Sequence, residues 1–226
     1  MERLICLAAG YVFGLFQTGY IYGRLNGIDI RQYGSGNSGT TNALRVLGKK
    51  AGLIVFAGDF LKTLIPCLAV RLLLRDHGNT GYLYLLYTGL GVILGHNFPC
   101  YLKFRGGKGI AATAGLIAAM DLRVGIICLV SFVAVVAATR YVSLGSLIIS
   151  AIFFIWNVAM AKSYGVPGSS LAEFDILAGV ICAMAFWRHR ANIGRLLHGT
   201  ENKLWGGKKE KSQACGGLSD AGERRQ

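Results

Sequence analysis

The chain has 226 residues, of which 53% are hydrophobic and only 15% are charged, and its mean hydropathy is +0.47. Since charged residues usually make up about a quarter of a soluble chain, this composition excludes an ordinary water-soluble domain. The formal net charge of +13 would suit nucleic-acid binding. However, no basic stripe with interleaved aromatic residues lies outside the apolar segments, so we expect no nucleic-acid partner.

The apolar residues form blocks rather than amphipathic stripes. In chain order, the blocks cover residues 4–23, 51–74, 81–98, 107–119, 123–139, 142–161 and 172–187. Most approach the roughly 20 residues that a helix needs to cross a bilayer. The pattern predicts an all-α integral membrane protein with about seven transmembrane helices. The fourth is short and rich in alanine and glycine, so we expect it to be tilted or only half-crossing.

The first block follows Arg3 and could be taken for a signal peptide. It runs for about 20 residues, which is long for the apolar core of a signal peptide, and it has no convincing cleavage site of small residues, so we interpret it as a retained span. The blocks occupy most of residues 1–205, which we interpret as a single transmembrane domain. Residues 206–226 are polar, and their composition predicts a disordered cytoplasmic tail.

The positions of the cations predict the orientation. If the N-terminus lies outside, most of the 24 lysine and arginine residues fall on the inner side of the membrane, as the positive-inside rule requires. The C-terminus is then cytoplasmic. This topology also places residues 24–50, 99–108 and 188–205 on the cytoplasmic side, and these segments are the richest in glycine, asparagine, hydroxyl and cationic side chains.

Neither the cysteines nor the histidines predict a cofactor. The six cysteines lie at positions 6, 67, 100, 128, 182 and 215 without a CxxC pair, and the four histidines are scattered. Most of the cysteines lie in or beside apolar blocks, and we interpret them as small buried hydrophobic residues. We expect no metal ion and no other cofactor.

The first polar segment, residues 31–52, reads "RQYGSGNSGTTNALRVLGKKAG". Its "GSGNSG" formally matches a dinucleotide fingerprint, but that motif follows a β-strand, and here a membrane helix precedes it. Glycine turns can still direct several N–H groups toward one anion. "TTNALR" predicts a helix start with Thr40, Thr41 or Asn42 as the cap and Arg45 about one turn later.

The second polar segment, residues 95–115, reads "GHNFPCYLKFRGGKGIAATAG". It does not complete the P-loop pattern. Its three glycines, Gly106, Gly107 and Gly109, open the fourth span, so Lys108 can point at an anion that the amides hold. We favour Lys108 over Lys103 as the site lysine because it lies within the glycine turn. Two such segments on one side, each with a cation, favour phosphate binding.

The third polar segment, residues 187–201, reads "WRHRANIGRLLHGTE". On a helix that continues from the last span, Arg188, Asn192 and Arg195 share a face and His189 lies one turn from Asn192. Periodicity alone favours a simpler interpretation, a basic collar that snorkels at the membrane exit and is neutralised by Glu201.

Asp59 and Lys62 in "GDFLKT" are charged residues deep within a predicted span. Their spacing of three residues allows them to pair on a helix. Ionisable residues inside a membrane are often functional, but an internal ion pair that fixes helix packing is an equally good explanation.

The three segments together resemble the PlsY family, which comprises bacterial integral-membrane acyl-phosphate:glycerol-3-phosphate acyltransferases. The matching stretches are "GSGNSGTTNALR", "GHNFPCYLKFRGGKG" and "HRANIGRLLHGTE". Their order, their placement on one side and the seven-span layout also fit, and the resemblance covers nearly the whole chain up to about Glu201. Thr63 departs from the family pattern, in which glycine is commoner at that position.

The resemblance implies that residues 1–205 form a catalytic domain. It would move a fatty acyl group from acyl phosphate to glycerol 3-phosphate, giving 1-acyl-sn-glycerol 3-phosphate (lysophosphatidate) in phospholipid synthesis, without a metal or other cofactor. The implied location is the cytoplasmic (inner) membrane of a bacterium, with the active site facing the cytoplasm. The expected partners are the two substrates and membrane lipid, and no obligate protein partner is evident.

The candidate site residues come from the matching segments. The candidate catalytic residues are Ser35, Arg45, Lys108, His189 and Asn192. The candidate substrate-binding residues are Gly36, Asn37, Thr41, Asn42, His96, Gly106, Gly107, Gly109, Arg195 and Glu201.

Two alternatives stay open at the level of sequence. In the preferred mechanism the site positions two phosphate-bearing substrates and neutralises their charge, and the hydroxyl proton passes to the donor phosphate. In the rival mechanism Ser35 is a covalent nucleophile with His189 as its base. The alternative function is a membrane transporter of a phosphorylated solute, which the charges at Asp59 and Lys62 would suit.

Overall fold

The computed structural model of the protein describes residues 1–74 and 81–205. Within these ranges the chain forms nine α-helices and no β-strand. The helices are α1 (Glu2–Gly14), α2 (Thr18–Leu25), α3 (Thr40–Leu73), α4 (Gly81–Asn97), α5 (Ile110–Met120), α6 (Leu122–Thr139), α7 (Val142–Met160), α8 (Leu171–Arg188) and α9 (Arg190–Leu197). The predicted disordered tail, residues 206–226, lies outside the described residues.

Each of the seven apolar blocks coincides with helical structure, which confirms the all-α prediction for the described part of the chain. Five segments there are long and apolar enough to cross a membrane: Glu2–Leu25, Thr40–Leu73, Leu122–Thr139, Val142–Met160 and Gly168–Arg188. The fourth block is the 11-residue helix α5, so it is short, as expected. The number of spans and their orientation stay predictions.

Helices α1 and α4 pack closely through small residues. Gly10 and Gly14 of α1 face Gly91 and Gly95 of α4, and a Cβ atom at any of these positions would overlap backbone atoms of the opposite helix. In a membrane the hydrophobic effect does not drive helices together, and close backbone approach supplies van der Waals contact instead. Helix α4 is almost entirely buried, whereas α1 buries only the face that carries these glycines and Cys6.

The first apolar block is not one continuous helix. The chain leaves the α-helix between Gly14 and Thr18, although the sequence predicts an unbroken span. The Gln17 side chain bridges the break by donating to the carbonyls of Gly14, Gly95 and His96. Non-helical backbone at membrane depth persists only where protein groups satisfy it, and periodicity does not reveal such partners.

Asp59 and Lys62 form the predicted internal pair. The Lys62 ammonium lies 2.9 Å from Asp59 Oδ1, and both side chains are almost fully buried. Lys62 also donates to the Phe16 carbonyl at 2.7 Å, and its Nζ lies 2.8 Å from His96 Nδ1. Asp59 additionally accepts a hydrogen bond from the Thr18 hydroxyl. The pair therefore joins α3 to the break after α1 and to the end of α4.

Helix α3 bends at Gly48. This glycine has φ 87°, a conformation that residues with a side chain rarely adopt. The bend separates a short first part, which begins at Thr40, from the long apolar part that carries Asp59 and Lys62. The first part brings Arg45 to the candidate site, where its guanidinium donates to the Asn202 carbonyl.

Candidate active site

The three polar segments meet around one cavity of about 220 Å³. Most of the predicted site residues line it: Ser35, Asn37, Thr41, Asn42, Arg45, His96, Lys108, Gly109, His189, Asn192, Arg195 and Glu201. Gly36, Gly106 and Gly107 do not. Residues that are up to 167 positions apart in the chain, from Ser35 to Asn202, therefore form one concave surface.

The first segment is held by the side chain of Asn42. Its Oδ1 accepts the N–H of Ser35 at 2.8 Å, and its Nδ2 donates to the carbonyls of Ile30 and Tyr33. These bonds shape the loop that carries Ser35. Gly36 has φ 70° and donates its N–H to Tyr33, so it serves the turn rather than the cavity surface.

Two helix N-termini open into the cavity. The N-cap of α3 is Gly39, and the prediction of Thr40, Thr41 or Asn42 as the cap is therefore wrong by at least one residue. The first N–H groups of a helix have no carbonyl partner within that helix. Residues at the start of both α3 and α5, namely Thr40, Thr41, Ile110 and Ala111, line the cavity. Such termini attract anions.

The second segment differs in detail from its prediction. Gly106 donates its N–H to the Asn97 carbonyl and Gly107 donates its N–H to the His96 carbonyl. Both amides are therefore bonded to the end of α4, so the expectation that they face an anion is wrong. Gly107 lies directly against the His96 ring, and a Cβ there would overlap Nε2. Gly109, with φ 82°, begins α5 and faces the cavity.

Lys108 extends from this turn toward the third segment, where its ammonium donates to Asn192 Oδ1. Burial lowers the pKa of Lys108 to about 8; the Glu201 carboxylate opposes this shift, whereas the cations Arg195, Arg188 and Arg45 strengthen it. Lys103, in contrast, is exposed and does not line the cavity.

The third segment does not continue α8 as one helix. Helix α8 ends at Arg188 and α9 begins at Arg190, so the predicted common face of Arg188, Asn192 and Arg195 is wrong. Arg188 does not extend to the membrane surface as part of a basic collar. It donates instead to the carbonyls of Gly106 and Gly107. Asn192 and Arg195 face the cavity instead.

Glu201 connects the members of the third segment. Its carboxylate accepts hydrogen bonds from Ser143, Asn192 and Arg195 at 3.0, 2.7 and 2.8 Å. Because Asn192 contacts both Lys108 and Glu201, one asparagine links the ammonium to the carboxylate. Glu201 thus neutralises part of the positive charge, as the sequence suggests, and it also fixes the side chains that surround the cavity.

His189 presents a hydrogen-bond acceptor to the cavity. Its Nδ1 lies 2.8 Å from the carbonyl of Ala185, and a carbonyl can only accept, so Nδ1 carries the proton and Nε2 has a free lone pair. Burial lowers the pKa of His189 to about 4, helped by the nearby cation Lys108. The imidazole is therefore neutral at physiological pH and a weak base.

Comparison with known proteins identifies the family. A family model described as glycerol-3-phosphate acyltransferase matches residues 4–199. A curated relative of that name from Thermoanaerobacter sp. (strain X514) is 41% identical over 205 residues, which are 90% of this chain and 96% of the relative. Another, from Clostridioides difficile (strain 630), is 42% identical over 212 residues, or 92% of this chain and 97% of the relative.

The chain belongs to the glycerol-3-phosphate acyltransferase family. Among solved structures, this acyltransferase is similar to PlsY, an integral membrane glycerol 3-phosphate acyltransferase, in its glycerol 3-phosphate form. The TM-score is 0.78 and the identity 35%, over 91% of this chain and 96% of that one. The lysophosphatidic acid form gives 0.75 and 35%. The resemblance to the PlsY family is therefore confirmed.

Some residues that line the cavity of this acyltransferase escaped the sequence analysis. The polar ones are Ser143, Ser146 and Asn202, and the cavity is also lined by Thr40 and Asp59, which the sequence predicts only as a helix cap and as part of an internal pair. Ser143 and Ser146 stand one helical turn apart in α7, so they share a face, and two hydroxyls on one face of an apolar span are a signal that could have been used. Asn202 contributes its carbonyl, which accepts from Arg45 at 3.2 Å, and a backbone contact leaves no trace in the sequence.

An apolar groove of about 370 Å³ adjoins the cavity. Phe56, Ile110 and Phe132 line both spaces. The groove continues along α5 and α6, where Ala114, Ala118, Gly125 and other small or aliphatic residues form its walls. A cationic cavity that opens into an apolar groove can accept an amphipathic molecule with an anionic head and a hydrocarbon tail.

Proposed function

We propose that this protein transfers a fatty acyl group from acyl phosphate to the sn-1 hydroxyl of glycerol 3-phosphate, giving 1-acyl-sn-glycerol 3-phosphate and inorganic phosphate. The observation that carries the proposal is the cavity in which two helix N-termini and the cations Arg45, Lys108 and Arg195 meet the end of an apolar groove. Both substrates carry a phosphate, which the cationic cavity can bind. Acyl phosphate also carries a hydrocarbon chain, which the apolar groove can hold.

The charge distribution supports the pairing of substrates. Two phosphates brought close together repel each other, and fixed cations and N–H donors offset that repulsion. We assign Ser35, Asn37 and Thr41 to one phosphate. Arg45 and Lys108 neutralise charge near the acyl phosphate. His189, Asn192 and Arg195 then hold glycerol 3-phosphate.

The reaction needs no strong nucleophile from the protein, because an acyl phosphate is already activated. The hydroxyl oxygen of glycerol 3-phosphate attacks the carbonyl carbon, the bond from that carbon to the phosphate oxygen breaks, and phosphate leaves. The hydroxyl proton passes to a phosphate oxygen of the donor. His189 Nε2, as a neutral acceptor, orients the hydroxyl; its pKa of about 4 makes it a poor general base at neutral pH.

The same assignment gives a location for the reaction. We propose that the protein lies in the cytoplasmic (inner) membrane of a bacterium, with the cavity facing the cytoplasm, from which glycerol 3-phosphate enters. The acyl chain lies in the apolar groove beside α5 and α6. The cavity's own cations and helix termini supply the charge neutralisation that a metal supplies elsewhere, so we propose a reaction without metal.

The choice of donor gives the direct test of this function. We expect purified protein to form monoacylated glycerol 3-phosphate from acyl phosphate, and to form little or none from acyl-CoA, because the cavity is small and the donor's phosphate would be absent from its binding position. Product is measured by mass spectrometry in detergent micelles. Product formed from acyl-CoA at an equal rate would contradict the donor assignment, and no product from either donor would contradict the function.

The covalent alternative makes a different prediction. Among hydrogen bonds of residues 1–74 and 81–205, none joins Ser35 to His189, so the catalytic pair that activates a serine is not assembled. We expect that labelled acyl phosphate without acceptor leaves no acyl group on the protein. Intact-protein mass spectrometry provides the measurement, with Ser35→Ala as the matched control. A stoichiometric adduct that is lost in Ser35→Ala would establish the covalent route.

A further inference from the structure

Arg188, the last residue of α8, grips the backbone of the glycine turn that precedes Lys108. Its Nε donates to the Gly107 carbonyl at 3.0 Å, and its Nη2 donates to the carbonyls of Gly106 and Gly107 at 2.9 and 2.6 Å. The guanidinium also lies 5.4 Å from the centre of the Phe98 ring, near enough for a cation–π contact. Arg188 does not line the cavity, so it has no place in the reaction proposed above.

The other side of the same turn is held by α4. The Gly107 N–H donates to the His96 carbonyl at 3.1 Å, and the Gly106 N–H donates to the Asn97 carbonyl at 3.2 Å. The peptide unit between Gly106 and Gly107 is therefore bound at its N–H by α4 and at its C=O by Arg188. Since a peptide is planar and almost rigid, two such anchors determine its orientation.

The turn has no room to adjust. A Cβ atom on Gly106 would overlap the His96 carbonyl, and one on Gly107 would overlap the His96 ring. The next peptide, between Gly107 and Lys108, also has its carbonyl on Arg188. Because the N–H of a trans peptide points opposite to its C=O, this contact directs the Lys108 N–H away from Arg188 and sets the direction in which Lys108 leaves the turn.

We propose that Arg188 is a positioning residue that acts through Lys108. The third segment then holds the site lysine twice: Arg188 fixes its backbone, and Asn192, four residues later, receives its ammonium. The break between α8 and α9 allows Arg188 to face the turn while Asn192 faces the cavity, so the break is needed for both contacts. The kinetic part of the inference rests on the proposed function, and the structural part does not.

Arginine is required for this contact. Its planar fork can donate to two neighbouring carbonyls at once, whereas lysine is a flexible point charge that cannot reproduce the bridge. Arg190 offers a matched control. It is exposed, lies two residues away, donates to the Trp187 carbonyl and stacks on the Trp187 ring at 4.6 Å, and it touches neither the glycine turn nor the cavity.

The kinetic test compares Arg188→Gln and Arg188→Lys with Arg190→Gln. We expect kcat/KM to fall by about 10- to 100-fold for both Arg188 variants, because small displacements of a catalytic group are costly, and to stay near wild type for Arg190→Gln. In a Lys108→Gln background, Arg188→Gln should cause little further loss, since the two residues act as a unit. Independent multiplicative losses would show a merely structural role and overturn the inference.

A labelling experiment tests the same inference without relying on activity. An amine-reactive reagent is applied to the folded protein, and peptide mass spectrometry gives the rate at Lys108 relative to the exposed Lys103 in the same molecule. We expect this ratio to rise severalfold in both Arg188 variants and to be unchanged in Arg190→Gln. An unchanged ratio in the Arg188 variants would overturn the inference. If Arg188→Gln does not fold, Arg188→Lys decides the result by the same measurement.

Discussion

Replacing Lys108 by alanine should lower kcat/KM for acyl transfer by about 10²- to 10³-fold, the range seen when a preorganised electrostatic donor is removed from an active site. Lys108 lines the cavity between the starts of α3 and α5, and its ammonium lies beside Asn192. In the proposed reaction this ammonium stabilises negative charge on the leaving phosphate. The measurement is steady-state product formation with both substrates varied.

The control for this substitution is Lys103→Gln, which removes an exposed lysine of the same loop. We expect near wild-type kinetics for the control. Thermal unfolding in detergent establishes that Lys108→Ala remains folded. Wild-type rates in folded Lys108→Ala would mean that Lys108 is not a site residue.

The pH dependence offers an independent check on the same residue. The pKa of Lys108 is lowered to about 8, chiefly by burial, and the ammonium is charged below that value and neutral above it. If the charge is needed, kcat/KM should fall as the pH rises through about 8. Bound phosphates favour the charged form, so the fall in kcat should occur at higher pH. Lys108→Arg stays charged and should remove the fall in kcat/KM.

The all-helical membrane class could be predicted because hydropathy follows directly from composition along the chain. The apolar blocks mark the helices, and the short fourth block is visible as the Ala/Gly-rich run that becomes α5. The cavity could be anticipated because three polar segments interrupt the apolar sequence, and the predicted orientation places them on one side. Composition and spacing, together with the family resemblance, predict Ser35, Lys108 and Asn192 as site residues, and the structure places all three around one cavity.

What the sequence could not predict are the contacts that involve the backbone. The break before Thr18 depends on carbonyls that Gln17 and Lys62 satisfy across the bundle. The amides of Gly106 and Gly107 are consumed by the end of α4, although a glycine-rich turn resembles an anion nest. Periodicity describes which side chains share a face, but it does not say where a carbonyl from another helix will lie.

The buried pair of Asp59 and Lys62 also shows that the sequence predicts a side-chain pairing but not the backbone contacts around it. The sequence is equally compatible with a transport role and a packing role for these charges. Lys62 is engaged with Asp59, with the Phe16 carbonyl and with His96, and these contacts tie three helical segments together. This arrangement favours the packing role, although Asp59 and His96 also line the inner end of the cavity.

Replacing Lys62 by methionine is therefore expected to lower the free energy of unfolding by about 3–5 kcal/mol, the cost of removing one partner of a buried ion pair. Methionine is close to lysine in length, so the loss comes from the uncompensated Asp59 carboxylate and the abandoned Phe16 carbonyl rather than from a large cavity. Chemical unfolding in detergent micelles measures the change, and the exposed Lys50→Met provides the control.

The double variant Asp59→Asn/Lys62→Met distinguishes the cost of an unpaired Asp59 charge from the cost of losing the hydrogen bonds of the pair. It leaves no unpaired charge in the membrane, so it should be more stable than Lys62→Met alone, although the break after α1 still lacks the donor that Lys62 supplies. If the double variant is the less stable of the two, the contacts of Asp59 with Thr18 outweigh the charge. A single Lys62→Met variant as stable as wild type would mean that the pair does not hold these helices together.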